Sequence, residues 1–316
     1  MKNRILKQLQ LQNLLHSLLL LIGMLGLLSF VGFLLSGLTG LFMLFGCGVI
    51  ILLSIPRLPT QLIMQIYGAQ KVNYYQIPVA YNILQQLSKH ANLTAVPGLY
   101  YLPSRLMLAF SLGIKGDEAV VLSDAMLRKL TIREVTAVLA HEISHIYNKD
   151  IWVMMLADII SRFTSILALT GYILIIIYLP IYFISDHRIP WLLLVILMLA
   201  PTISAIMQLA LSRTRELNAD FNAVLLTGDP EGLISALRKI EYFQGRWYER
   251  IFMLGRRLPD PSLLRTHPHT EDRIKRLQAL KDIDYTATNT DEIELDLTDF
   301  KPYHRDPGRR FKGFWD

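Results

Sequence analysis

Two histidines and a glutamate lie close together in the segment from His141 to His145, which reads HEISH. Histidines four positions apart in a helix share one face, one turn above the other, so both imidazoles can reach one ion. Glu142, beside the first histidine, can then accept a proton from a water molecule that such an ion activates. The chemistry this pattern indicates is metal-assisted hydrolysis. The motif alone leaves open that both histidines are ordinary surface residues.

The residues around the motif predict one helix from Thr131 to Asp150. Thr131 and Glu134 fit a capping box, in which the hydroxyl and the carboxylate each accept a hydrogen bond from a free N–H group of the first turn. Apolar residues then recur at helical spacing, at Val135, Val138 and Leu139. The motif is therefore expected near the middle of a well-started helix.

The composition indicates a membrane protein. The 316-residue chain is 52% hydrophobic and 18% charged, with a mean hydropathy of +0.35, which is too apolar for an ordinary soluble domain. Residues 14–55 contain no Asp, Glu, Lys or Arg and are long enough for two crossings, with Ser36, Gly37 and Gly40 as the turn. Residues 163–184 and 190–211 are each long enough for one crossing. Four transmembrane helices in two hairpins are predicted.

Charge and cysteine usage exclude several classes of protein. The formal net charge is +6, but no basic patch with a matching motif indicates nucleic-acid binding. One cysteine, Cys47, provides neither a disulfide framework nor a cysteine metal cluster. A transporter would need ionisable residues inside the membrane, and the first hairpin has only His16 near one end.

The basic N-terminus, Arg57 and the segment 213–215 fall on one side of four crossings, which predicts a cytoplasmic soluble part.

The soluble residues before the motif predict a helix over residues 75–93 and short strands at 99–101, 106–111 and 119–122. A small antiparallel sheet is the expected result. The sheet either only covers the motif helix or offers an edge strand to which an extended peptide can be added.

A third metal ligand is needed, because a catalytic zinc has three protein ligands and an open position for water. Glu216 follows Leu211, the end of the last apolar segment, by five residues, so a continuing helix would place it within about 10 Å of the membrane edge. Asp220, one turn on, faces the same way. By spacing alone, a solvated helix face is the better interpretation of both acids.

The chain contains an ordered series of features: HEISH, two predicted crossings, SRTRELNAD at residues 212–220 and RTHP at residues 265–268. In this series the chain strongly resembles the HtpX-type membrane zinc metallopeptidases. These enzymes are related to the type I CAAX prenyl proteases within the gluzincin clan. The likeness runs from about residue 95 to residue 280, and the N-terminal hairpin also fits. The resemblance implies one zinc ion per chain, with His141, His145 and Glu216 as ligands and Glu142 as the catalytic base.

The same resemblance implies further roles. Asp220 falls where the family has an acid that could hold a zinc-bound histidine in the right tautomer. His267 matches a histidine thought to lie near the substrate and stabilise the oxyanion, and the charged residues after it predict an ordinary solvated helix. Asn148 and Asp150 match the family's HExxHxxNxD continuation, and Arg213 could pair with Asp150.

The edge strand departs from the family pattern. HtpX-like sequences usually have Asn-Ala-Phe where this chain has Leu108-Ala109-Phe110, the candidate substrate-binding residues. The Asn side chain is absent, but binding through the strand's own N–H and C=O groups does not depend on it.

The predicted architecture is mainly α. It combines about four transmembrane helices with a cytoplasmic α+β gluzincin-like metalloprotease domain that contains a small antiparallel sheet. The expected parts are a transmembrane hairpin, a first catalytic part, a second hairpin, a second catalytic part and a tail, at residues 1–56, 57–162, 163–211, 212–287 and 288–316.

The function implied by the resemblance is that of a multi-pass zinc endopeptidase of the cell inner membrane. It would hydrolyse membrane or misfolded proteins at the cytoplasmic face in quality control, a stress-response role, with polypeptides and the lipid bilayer as partners. The alternative is a weakly catalytic or non-catalytic scaffold or chaperone that keeps the zinc fold; Leu108 favours it and the intact Glu142 opposes it. Prenyl-protein processing is a weaker alternative, because four crossings are few to enclose a lipidated chain.

Overall fold

The computed structural model describes residues 2–54, 60–113, 116–184, 191–252 and 270–280. In chain order the helices are α1 (Lys2–Ser54), α2 (Thr60–Tyr67), α3 (Pro78–His90), α4 (Asp124–Lys129), α5 (Ile132–Tyr147), α6 (Asp150–Ile184), α7 (Trp191–Thr227), α8 (Pro230–Phe252) and α9 (Thr270–Leu280). The strands are β1 (Gln70–Lys71), β2 (Gly98–Leu102), β3 (Ala109–Leu112) and β4 (Ala119–Ser123). The chain divides into two compact units, which we call the helical unit (Met1–Pro56 and Trp152–Arg215) and the sheet unit (Arg57–Ile151 and Glu216–Asp316).

Three helices are long and apolar enough to cross a membrane within the described residues, over Leu14–Ile50, Asp150–Ile177 and Leu194–Thr227. Large apolar side chains point outward from them, including Phe42 at 68% and Ile176 at 71% exposed. Helices with an apolar exterior satisfy their own backbone groups and suit the interior of a bilayer. The predicted integral-membrane, mainly α architecture is thereby confirmed.

The first of these helices is folded back on itself. Ser36 and Gly37 have non-helical backbone angles, and Gly37 takes a φ of 65°, which glycine adopts without a steric penalty. A Cβ atom added to Gly48 would lie 2.9 Å from Cδ2 of Leu25. In a straight helix these residues would be about 35 Å apart. α1 is therefore a hairpin that turns where the sequence predicted it.

The helical unit has its own apolar core, built from Met24, Leu28, Val153, Leu156, Ala157, Ile160 and Leu211. The hydroxyl groups of Ser161 and Ser204 lie 2.9 Å apart and join α6 to α7 inside this unit. Near the start of α6, Arg162 donates to Asp158 at 2.7 Å in an exposed i,i+4 ion pair. An exposed ion pair is costly in lipid, and the predicted start of this crossing at residue 163 stays a prediction.

The sheet of the other unit has the strand order β1-β2-β4-β3. β1 pairs antiparallel with β2, and β3 with β4, but β2 and β4 are parallel. The sheet is therefore mixed, which corrects the antiparallel arrangement expected from the sequence. Residues 103–108 lead from β2 to β3, which lies two positions away in the sheet. β4 then fills the position between them and pairs with both strands. β4 is buried at every position, and its unbroken apolar run suits a central strand covered on both faces.

The two faces of the sheet are covered by different helices. Leu99, Val120 and Leu122 belong to the main core together with residues of α3, α5, α8 and α9. Tyr100 and Val121, their alternating neighbours, belong to a second cluster with Met64 of α2. Since successive strand residues point to opposite faces, α5 and α2 lie on opposite sides of the sheet.

The ends of α5 determine where its side chains lie. Thr131 and Glu134 form the predicted capping box, which confirms the predicted start of the helix. The helix ends at Tyr147, with Asn148 as its C-cap, instead of running on to Asp150. Lys149 adopts a left-handed φ of 56°, and Asp150 then begins α6.

Candidate metal centre

The three predicted ligands converge in the sheet unit. His141 and His145 lie one turn apart on α5, and Glu216 lies on α7. The two imidazole Nε2 atoms are 3.1 Å apart, and each lies 3.5 Å from a different carboxylate oxygen of Glu216. One ligand atom from each of the three residues falls within 4.8 Å of the others. No other group of this kind occurs among the residues that the structure describes.

The outer nitrogens of both histidines face carboxylates. His145 Nδ1 lies 2.8 Å from Asp150 Oδ2, and His141 Nδ1 lies 3.0 Å from Asp220 Oδ1. A carboxylate in this position keeps the proton on Nδ1 and leaves a lone pair on Nε2. The two Nε2 atoms then face each other and the Glu216 carboxylate as acceptors, an arrangement that is repulsive unless a proton or a metal cation lies among them.

The distances fit a zinc ion. Tetrahedral zinc with bonds of about 2.0–2.1 Å separates its ligand atoms by about 3.3–3.4 Å. The separations among His141, His145 and Glu216 are 3.1 and 3.5 Å, on either side of that value. Two imidazoles and one carboxylate are also a ligand set that catalytic zinc sites use. Both the donor chemistry and the spacing therefore suit zinc.

Glu142, the predicted base, follows His141 on α5 and is 6% exposed. Burial lowers the pKa of Arg273, but the charges of Asp220, Glu216 and Glu142 raise it above its ordinary value, which indicates that Glu142 lies close to this cluster. The structure thus brings the Glu142 carboxylate into the neighbourhood of the ligands, as the motif requires.

Arg273 is a site residue that the sequence analysis missed. It lies on α9, in the segment expected to be a solvated helix, but it is 6% exposed. Its Nε and Nη2 atoms donate to the two carboxylate oxygens of Asp220 at 2.7 and 2.5 Å, and Nη1 lies 3.3 Å from Glu216 Oε2. The available signal was its place on the apolar side of the helix, beside Ile274 and one turn before Leu277, which are both buried.

These contacts set the charges of the cluster. Burial raises the pKa of Asp220, but the charge and hydrogen bonds of Arg273 outweigh burial and bring it to about 2. Burial lowers the pKa of His141, but hydrogen bonds to Asp220 and Glu216 bring it to about 10. For His145, burial lowers the pKa and the hydrogen bond to Asp150 more than compensates. The lowered pKa keeps Asp220 ionised, and the raised pKa values mean that both imidazoles bind a proton more strongly than an ordinary histidine does.

The remaining predicted residues lie in different surroundings. Asn148 accepts a hydrogen bond of 3.4 Å from Asn222 of α7. Arg213 is exposed on α7, and its pairing with Asp150 stays a prediction. His267 lies outside the described residues, so its predicted role near the oxyanion also stays a prediction.

The candidate substrate strand, β3, is the last strand in the sheet order, and no described strand pairs with its outer edge. Leu108, just before it, is packed in the cluster of Met64, and both its backbone groups bond to Ser123. In an antiparallel pair, alternate residues bond inward, so the N–H and C=O groups of Ala109 point to the outer edge. The Phe110 ring packs against Tyr67 with ring centroids 5.6 Å apart.

Comparison with known proteins identifies relatives along most of this chain. The model of peptidase family M48 matches residues 78–281. A "Protease HtpX homolog" of Acaryochloris marina is 33% identical over 78% of this chain and 87% of its own length. Proteins with the same description from Campylobacter hominis and Bifidobacterium longum are 32% and 34% identical, over 70% and 67% of this chain and 82% and 74% of their own lengths.

Among solved structures, the crystal structure of S. mikatae Ste24p is similar, with a TM-score of 0.44 and 19% identity. The match covers 85% of this chain and 66% of that one. The family assignment rests on the sequence matches.

Proposed function

Because this chain belongs to peptidase family M48 and is a membrane metalloprotease, we propose that it is a zinc-dependent endopeptidase that cleaves membrane or misfolded proteins at the cytoplasmic face of the cell inner membrane. The family and the enzyme class predicted from the sequence are confirmed by the family match and the relatives. The observation that carries the proposal is the convergence of His141, His145 and Glu216, with their lone pairs facing one point.

His141, His145 and Glu216 would hold the zinc ion, which would supply Lewis-acid activation of the scissile carbonyl and the attacking water. The chain's own residues supply the proton transfers and the positioning. The Glu142 carboxylate takes the proton from the attacking water and passes it to the leaving amine nitrogen. Asp150 and Asp220 hold the protons on the Nδ1 atoms of the histidines, so that both imidazoles keep the orientation that a metal ligand needs. His267 is the proposed partner of the oxyanion.

Arg273 has a positioning role in this scheme. Its guanidinium binds both oxygens of Asp220 and lies near Glu216. It therefore orients the proposed ligand Glu216, and also Asp220, which contacts the proposed ligand His141. It also supplies positive charge beside two buried carboxylates, which would otherwise repel each other. The bidentate geometry suits arginine and not lysine.

The substrate is proposed to bind as an extended peptide beside β3. The outward N–H and C=O groups of Ala109 would pair with the peptide backbone, and Phe110 would contact its side chains. Leu108 contributes to this strand from inside the apolar cluster.

The proposed membrane arrangement keeps the four crossings and the five parts set out from the sequence, at residues 1–56, 57–162, 163–211, 212–287 and 288–316. The exposed Asp158–Arg162 ion pair supports a crossing that begins after residue 162. The placement of Lys and Arg supports a cytoplasmic catalytic part. Glu216 is only five residues beyond the last apolar segment, which supports access for substrates that emerge from the bilayer.

The test is proteolysis of casein and of an unfolded membrane protein by purified, zinc-loaded protein in detergent, beside Glu142→Gln, with zinc content measured for both. We expect the wild type to cleave, and the variant to retain zinc without cleaving. If both hold one zinc and neither cleaves, the scaffold alternative replaces the peptidase. If the wild type holds no zinc, the assignment of Glu216 as third ligand is wrong.

A further inference from the structure

Helix α2 packs against the sheet along one of its sides. Met64 is 1% exposed and packs into the cluster on the sheet face opposite α5. At its first residue, the Thr60 N–H donates to the Asp117 carboxylate at 2.9 Å, and the Thr60 hydroxyl donates to the Asp117 carbonyl at 2.6 Å. The orientation of α2 on the sheet is therefore fixed.

The opposite side of α2 is apolar and exposed. At 100° per residue, Leu62 and Ile66 each project about 160° away from Met64. Their exposed fractions are 47% and 76%. A helix on the surface of a soluble domain normally has its polar residues there. Gln61 and Gln65 instead lie on one flank of the helix, between its packed and its outward sides.

This pair is unusual for the sheet unit. Among its described residues, the exposed large aliphatic side chains are Leu62, Ile66 and Val96. Only the first two share a helix face. Single exposed apolar residues are common on any protein, but two that form a stripe on one short helix indicate a contact surface.

The position of α2 in the chain limits what can contact its apolar side. α1 ends at Ser54, within the first apolar hairpin, and α2 begins at Thr60. Six steps along a chain span at most about 22 Å, so the covalent chain alone keeps the start of α2 within that distance of Ser54, the end of the apolar helix α1. Arg57, between them, is the only charged residue from residue 14 to residue 70 and suits anionic lipid headgroups.

We propose that α2 lies in the lipid–water interface, with Leu62 and Ile66 inserted toward the acyl chains. An interfacial helix has this pattern, with an apolar face turned to the lipid and polar residues beside it. Because α2 is fastened to the sheet, it also holds the sheet and its edge strand β3 at the membrane surface. The occupant of the apolar side is the bilayer.

The test uses the full-length chain in phosphatidylcholine–phosphatidylglycerol vesicles. Leu62→Cys and Ile66→Cys are each made in a Cys47→Ala background and labelled with an environment-sensitive nitrobenzoxadiazole probe. Val96→Cys is the matched control, because Val96 is an exposed aliphatic residue of the same unit (43%) on a different element. Quenching by doxyl-labelled lipid reports contact with the bilayer, and quenching by iodide reports contact with water.

We expect the probes at positions 62 and 66 to be quenched by the labelled lipid several-fold more than the probe at position 96, and several-fold less by iodide. Equal behaviour at all three positions would overturn the proposal. Protection of positions 62 and 66 from both quenchers would also overturn it, since a protein surface would then cover the helix. The readout does not involve peptide cleavage, so it stands or fails independently of the proposed enzymatic function.

Discussion

Two buried clusters that each contain a carboxylate involve the same helix, α5, and they differ in how their charges are balanced. At its start, Glu134 accepts hydrogen bonds from the Thr131 N–H at 2.7 Å, the Ser235 hydroxyl at 2.5 Å and the Lys239 ammonium at 2.7 Å. Protein donors saturate this carboxylate. About two turns later on α5, the Nε2 atoms of His141 and His145 lie beside the carboxylate oxygens of Glu216. All of these atoms are acceptors when Nδ1 carries the proton.

The difference distinguishes a structural cluster from a candidate metal centre. Buried acceptors are costly unless a donor or a cation meets them. The first cluster is complete with the side chains that surround it. The second has partners on its outer side, in Asp150, Asp220 and Arg273, but needs a cation on its inner side. The predictions below test this contrast, from the largest expected effect to the smallest.

Glu216→Gln should remove the metal. An amide oxygen is neutral and binds zinc poorly, so bound zinc should fall from one per chain toward zero, and peptidase activity should fall by more than about 100-fold, the upper range for losing an outer partner of a ligand. Elemental analysis and casein cleavage measure both. Glu134→Gln is the matched control, because it changes a carboxylate on the other cluster and should leave the zinc content at one per chain. A Glu216→Gln protein with full zinc would contradict the ligand assignment.

Arg273→Met should destabilise the sheet unit by about 3–5 kcal/mol, because it leaves the buried carboxylate of Asp220 without its cation. Thermal unfolding in detergent measures the loss. The double variant Arg273→Met/Asp220→Asn should recover part of it, since no unpaired charge remains. Equal stability of the single and double variants would show that the ion pair does not carry the effect.

Asp150→Asn should weaken zinc binding by about 10–100-fold, because the carboxylate that keeps the proton on Nδ1 of His145 is lost. Competition with a chelator of known affinity measures the change. Asp124→Asn, on the short helix α4, is the matched control: its carboxylate accepts from Tyr101 and Arg128 away from the ligands. An unchanged zinc affinity in Asp150→Asn would argue against its contact with His145.

Glu134→Gln should lower stability by about 1–3 kcal/mol at pH 7, because a charged acceptor is lost from a buried network. Burial raises the pKa of Glu134, but the hydrogen bonds from Lys239, Ser235 and Thr131 lower it below its ordinary value of 4.5. Ionised Glu134 therefore stabilises the fold fully above pH 4.5, and the contribution disappears as pH falls through the lowered pKa.

The difference in melting temperature between wild type and Glu134→Gln should thus shrink in acid. Differential scanning fluorimetry of both proteins at pH 7 and at successively lower pH values checks this. A difference that stays constant down to the lowest pH at which the wild type folds would contradict the charge argument and favour loss of packing.

Much of this protein could be predicted from residues that are near one another in sequence. The capping box at Thr131 and Glu134 and the turn at Ser36 and Gly37 were both correctly predicted, because caps and turns depend on a few neighbouring residues. The family resemblance was confirmed because its motifs are short and ordered along the chain. The end of α5 was predicted too late, because a left-handed Lys149 gives no composition signal of the kind that glycine does.

By itself, therefore, the sequence determined the apolar segments, the motif helix and the identity of the candidate ligands, since periodicity and covalent spacing act over a few residues. Only the tertiary structure decided which distant groups meet. It inserted β4 between β2 and β3 and turned Asp150 back toward His145. It also brought Arg273 of α9 onto Asp220, because long-range contacts depend on how whole elements pack and not on any local pattern.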